Sequence, residues 1–131
     1  MRTRRPRRLR TQMPDQNRES ELPIFVKWMD FLKWLMPVMD RLPKKVRFTL
    51  SNRISNLALD LVEDLVEARY SRNKTTLLRG ANLKLEKLRV LMRISFESGL
   101  IPMATFKHSA MALNEVGKML GGWLKQQEAR T

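Results

Sequence analysis

Four carboxylates, Asp60, Glu63, Asp64 and Glu67, and one imidazole, His108, are the side chains on which metal or acid–base chemistry would have to be built. On a helix the spacing i, i+3, i+4, i+7 lines one face. Carboxylates so placed hold paired metals in some helical bundles, but those sites also draw on a Glu–His pair at i, i+3. Here His108 stands alone on a different segment, where an exposed or capping role is expected. The acidic stripe lies beside the Leu57/Leu61/Leu65 seam rather than within it. It is therefore expected to be solvated, or to form salt bridges with basic residues of the next helix or the next subunit. The chain has no cysteine, which removes disulfides and thiolate metal sites. It also has no phosphate-cradling glycine loop and no nucleophile–base pair. These absences lead to the expectation of no catalytic residue, no metal and no cofactor: a non-enzymatic protein.

The remaining chemistry is that of cations. Lys and Arg number 26 against 13 Asp and Glu, a formal charge of +13. Residues 1–20 hold seven arginines against Asp15 and Glu19, with Pro6 and Pro14 and almost nothing apolar, the composition of a disordered basic arm. Residues 21–131 still carry +8 without it. Arg41, Lys44, Lys45 and Arg47 surround one predicted turn, and Arg69, Arg72 and Lys74 the next. On the third predicted helix, Arg79, Arg89 and Arg93 fall within an arc of about 80° at 100° per residue. Any one of these is a solubilising charge; together they point to phosphate, through contacts that are mostly independent of base sequence. RNA and DNA are the expected ligands.

These cations must be positioned by helices. Apolar residues recur at steps of three and four from Leu22 onward, and no adequate segment alternates with period two. The first helix is predicted over Leu22–Leu42, with Pro23 in its first turn, a kink from Pro37, and a stripe of Phe25, Met29, Leu32, Met36 and Met39. The second covers Lys44–Ser71, with Val46, Leu50, Ile54, Leu57, Leu61, Leu65 and Ala68 as its seam. The third covers Asn73–Ser98, with Leu78, Ala81, Leu85, Leu88, Met92 and Ser95 inward and Gly99 and Pro102 as its stop signal. The fourth starts near Thr105 and turns Phe106, Ala110, Leu113, Gly117, Leu120 and Leu124 inward. Four long helices with short connections predict an all-α, antiparallel four-helix bundle over residues 21–131, following the arm of residues 1–20.

Gly117, Gly121 and Gly122 inside the fourth helix each cost about 1 kcal/mol relative to Ala. Close approach of a neighbouring backbone would offset that cost, and fraying of the helix end is the alternative. Trp28 and Phe31 on the first helix, and Met119 and Trp123 on the fourth, lie outside the seams chosen above. With Gly117 and Gly121 they form the expected oligomer interface, and a closed ring is expected. No apolar run reaches the ~18 residues needed to cross a bilayer. Basic amphipathic helices can also lie on anionic lipid. Liposome against RNA binding at matched salt separates that reading, and the reading adopted expects no membrane partner. The basic start is not followed by a signal-peptide core, and with no cysteine a cytoplasmic location is expected.

Taken together, Leu35-Met36-Pro37, Leu42-Pro43-Lys44 and the block Glu115-Val116-Gly117-Lys118-Met119-Leu120-Gly121-Gly122-Trp123 resemble the Avd family, the accessory variability determinants of diversity-generating retroelements. The resemblance spans roughly residues 22–127. It implies a homopentameric barrel of four-helix bundles, encoded by a bacterium or phage. It also implies binding to the retroelement's reverse transcriptase and to nucleic acid, template RNA and cDNA, in support of mutagenic reverse transcription. A related bundle family, encoded within intervening sequences of bacterial large-subunit rRNA, shares the pattern; the high charge favours Avd.

Overall fold

A computed structural model describes residues 23–130. The expected basic arm, residues 1–20, lies outside the described residues. Helix α1 spans Pro23–Asp40, α2 Asn52–Tyr70, α3 Thr75–Glu97 and α4 Met103–Arg130, and no strand occurs among the described residues. Cross-helix pairs fix their order and direction. Trp28 and Met39 of α1 meet Ala58 and Ser51 in and just before α2, Asp64 of α2 meets Lys84 of α3, and Phe96 of α3 stacks on Phe106 of α4. Lys27 and Trp34 of α1 close the circuit on Glu115 and His108 of α4. The result is an up-down-up-down four-helix bundle.

The predicted second helix does not begin as an α-helix. Lys44–Val46 form a 3-10 turn and Arg47–Ser51 a π turn before the regular coil of α2 starts. Val46, at φ −107° and ψ 7°, breaks the helical run between them. At the far end of α3 the stop signal works as the sequence requires. Gly99 takes φ 76°, its amide donates to Phe96, and the Leu100 amide donates to Ser95 at 2.8 Å. This pair of bonds is a Schellman cap, which glycine enters without the penalty a Cβ would carry.

One apolar cluster runs the length of the bundle. The α3 seam is as predicted: Leu78, Ala81, Leu85, Leu88, Met92 and Ser95 are all buried. On α1 the buried face is Ile24, Trp28, Phe31, Leu32, Leu35, Val38 and Met39, rotated from the predicted stripe, and Met29 is exposed. On α4 it is Ser109, Leu113, Val116 and Leu120, so Gly117 lies at its edge. The Trp28 indole is fully enclosed and donates its N–H to the Ala58 carbonyl at 2.9 Å, which removes the cost of burying that donor.

Trp28 and Phe31, expected at an interface between copies, belong instead to the protomer's own core. Met119 and Trp123 are half-buried against it. Besides Met29 on α1 and Met103 and Met111 on α4, the outward apolar side chains of the α-helices form two sets: Leu59, Val66 and Tyr70 on α2, and Leu83, Val90 and Ile94 on α3. Both sets step by seven and then four residues, so each forms one line along its helix.

Candidate nucleic-acid interface

The cations sort into three groups by what their charge already does. The first is the turn between α1 and α2. Arg41, Lys44, Lys45 and Arg47 are all exposed, and none makes an ion pair among the described residues. Arg53, on the first turn of α2, joins them and was not singled out from the sequence. The signal that marks it is plain: residues 41–59 hold five cations and no carboxylate. Lys45 and Arg53 line a shallow groove of about 530 Å³ with Thr49, Leu50, Ser98 and Leu100, which places the α3–α4 turn beside this cluster. Phe48, also passed over in the sequence, stands in the π turn with 83 % of its surface exposed.

The second group lies at the opposite end of the bundle, around the α2–α3 turn. Arg69 and Arg72 are exposed, and the Arg69 guanidinium sits 5.7 Å from the centre of the Tyr70 ring. Lys74 is committed to the fold. Its ammonium donates to the carbonyls of Ala68 at 2.6 Å, Ser71 at 2.7 Å and Arg69 at 3.3 Å. The last carbonyls of a helix lack helical partners, and a cation there satisfies them and complements the negative end of the helix dipole. Lys74 is therefore a cap of α2, and its place among the expected phosphate ligands is withdrawn.

The third group, Arg79, Arg89 and Arg93, lies along the α3–α4 side, and each member is engaged. Arg79 pairs with Glu128 at 2.8 Å and Arg93 with Glu97 at 2.8 Å. Glu97 raises the Arg93 pKa further, first by its hydrogen bond and then by its charge. Arg89 pairs with Glu86 on its own helix and crosses to α4, where it donates to Asn114 and to the Leu113 carbonyl. The arc seen in the sequence exists, but its positive charge is largely met by neighbouring carboxylates.

Of the acidic stripe, Asp60, Glu63 and Glu67 are exposed. Asp64 pairs with Lys84 of α3 at 2.5 Å, with their side chains 14 % and 27 % exposed. Among the described residues no three His, Asp or Glu side chains come together in a way that would hold a metal ion.

Of the glycines, only Gly117 is crowded. A Cβ there would lie 2.8 Å from Nη2 of Arg89 and 3.4 Å from Leu85. What approaches is a pair of side chains, not the backbone expected from the sequence. Nothing lies within 4 Å of a Cβ at Gly121 or Gly122, so no close packing within the protomer explains them. Neither do they end the helix, which continues to Arg130.

Fold and surface thus define an all-α bundle whose α1–α2 turn carries five exposed cations with no ion pair among the described residues. A family model described as bAvd-like matches residues 24–127, and the chain belongs to that family. Comparison with curated proteins finds no match.

Proposed function

We propose that this protein is the non-enzymatic accessory scaffold of a diversity-generating retroelement, working as a homopentamer that binds the element's reverse transcriptase and its RNA and cDNA. Family membership supports the accessory role. The observation that carries nucleic-acid binding is the run of five cations between Arg41 and Arg53, with no carboxylate among residues 41–59 and no ion pair on any of the five among the described residues. Cations that already face carboxylates gain little by exchanging them for phosphate. Unpaired ones release the condensed counterions of a polyanion at no such loss. The lines Leu59/Val66/Tyr70 and Leu83/Val90/Ile94 favour assembly, since outward apolar rows on adjacent helices are the surface a closed ring would cover.

Three measurements test this. Light scattering of the purified protein should give five times the chain mass, and a monomer at micromolar concentration would sink the ring. The reverse transcriptase encoded beside the gene should co-purify with it. RNA binding should weaken linearly with salt on logarithmic axes, by about 0.7 to 0.9 per phosphate contacted. No enzyme captured and no salt-dependent RNA binding would overturn the reading.

A further inference from the structure

Beyond that reading, and resting on it, we infer that the α1–α2 end is built for single-stranded rather than double-stranded nucleic acid, with Phe48 as a stacking surface for a base. Three observations meet there. Phe48 is the most exposed of the large apolar side chains among the described residues, at 83 %, whereas Phe31 is buried and Phe25, Phe96 and Phe106 pack against the core. It directly follows Arg47 in the chain, with Lys44 and Lys45 just before Val46, and Arg53 comes little more than one helical turn later. It sits in the π turn Arg47–Ser51, a rare local geometry that often accompanies functional sites.

Exposing a phenyl ring to water costs free energy that burial would recover. An exposed aromatic ring in a stretch of chain, residues 41–59, that holds five cations and no carboxylate matches the two surfaces of a single strand. The cations track the phosphates and the ring takes the face of an unpaired base. A duplex offers only the first, because its bases are already stacked on each other. The groove that Lys45 and Arg53 line together with Leu50 and Leu100 gives the strand a path from this turn toward the α3–α4 turn. The groove between α2 and α3 offers phosphate less, since Asp60 and Glu86 balance Arg53 and Lys87 in its lining.

The test uses the full chain, a fluorescein-labelled 20-nucleotide polyuridine, and a mixed-sequence RNA duplex of the same length at one ionic strength. Phe48→Ala should weaken binding of the single strand roughly 5- to 100-fold while changing duplex affinity less than twofold, the range expected for loss of one stacked base. Its salt slope should stay that of the wild type, because no cation is lost. Phe48→Trp should restore single-strand affinity. Lys44→Gln/Lys45→Gln/Arg47→Gln should weaken both ligands and make both slopes shallower. An unchanged single-strand affinity in Phe48→Ala, or an equal loss for both ligands, would overturn the inference while leaving nucleic-acid binding in place. Intact RNA binding with loss of the oligomer or of reverse-transcriptase capture would also overturn it, assigning Phe48 to a protein contact. If the wild type bound neither ligand, the broader reading would fall first.

Discussion

Arg89 and Gly117 occupy the same space from opposite helices. The Arg89 guanidinium, reaching from α3 to the Leu113 carbonyl of α4, stands where the first atom of a side chain at position 117 would have to be. The glycine gives up helix propensity, and the arginine takes the vacated room to bond a carbonyl of the facing helix.

That relationship sets the sign of a double-mutant cycle. Gly117→Ala alone should change stability by less than about 1 kcal/mol, because its propensity gain is offset by displacing a flexible guanidinium from its acceptors. In an Arg89→Ala background the same change should stabilise by about 1 kcal/mol. Gly117→Leu, which also meets Leu85, should destabilise by about 1–3 kcal/mol. Urea denaturation of the four variants measures this, and additive effects would show that the two residues do not share the site.

Lys74→Met should lower stability by about 1–2 kcal/mol by leaving the last carbonyls of α2 without their donor, and should leave the salt slope of RNA binding unchanged. Arg72→Ala, on the same turn, should have no effect on stability beyond about 0.5 kcal/mol. A lysine that acted on phosphate would give the reverse pattern.

The ion pair Lys84–Asp64 is shielded from solvent more than any other in the molecule's described part, whereas Arg93–Glu97 is largely exposed. A double-mutant cycle on Lys84 and Asp64 should give a coupling of about 1 kcal/mol or more that persists at high salt. The same cycle on Arg93 and Glu97 should give about 0.3–0.5 kcal/mol that salt erases.

Neutralising Arg79 and Arg93 together should change RNA affinity less than neutralising Lys44 and Lys45. The former pair already faces Glu128 and Glu97, and the latter faces no carboxylate among the described residues. Filter binding at fixed salt decides the order, and equal losses would return the α3 side to the interface.

Helix content was legible in the sequence because each helix repeats apolar residues at helical spacing, and on α3, where one stripe is apolar and the rest charged, every predicted inward position is buried. On α1 the stripe was misplaced because the helix is apolar on most of its circumference, and periodicity alone could not choose between the Met29 side and the Trp28 side. The tertiary environment chose Trp28, whose indole finds an acceptor only toward α2. The turn clusters of cations were legible as composition. Their availability was not, because whether Lys74 caps a helix or Arg79 meets Glu128 depends on residues six and 49 positions away.

The two polar contacts between α1 and α2 have a bearing on the cationic turn that joins them. Trp28 is tied to the Ala58 carbonyl deep in the bundle, and Ser51 donates to the Met39 carbonyl at 3.4 Å, near the turn itself. A shift of α1 by one helical turn, about 5.4 Å, would break both. Held at two points, the backbone from Arg41 to Arg47 would meet the polyanion proposed above already in place. Ligand binding then has only side chains to immobilise, at about 0.5–1.5 kcal/mol each, rather than a loop. Core substitutions that loosen this grip, Trp28→Phe foremost, should slacken the turn and weaken RNA binding from a position no phosphate can reach.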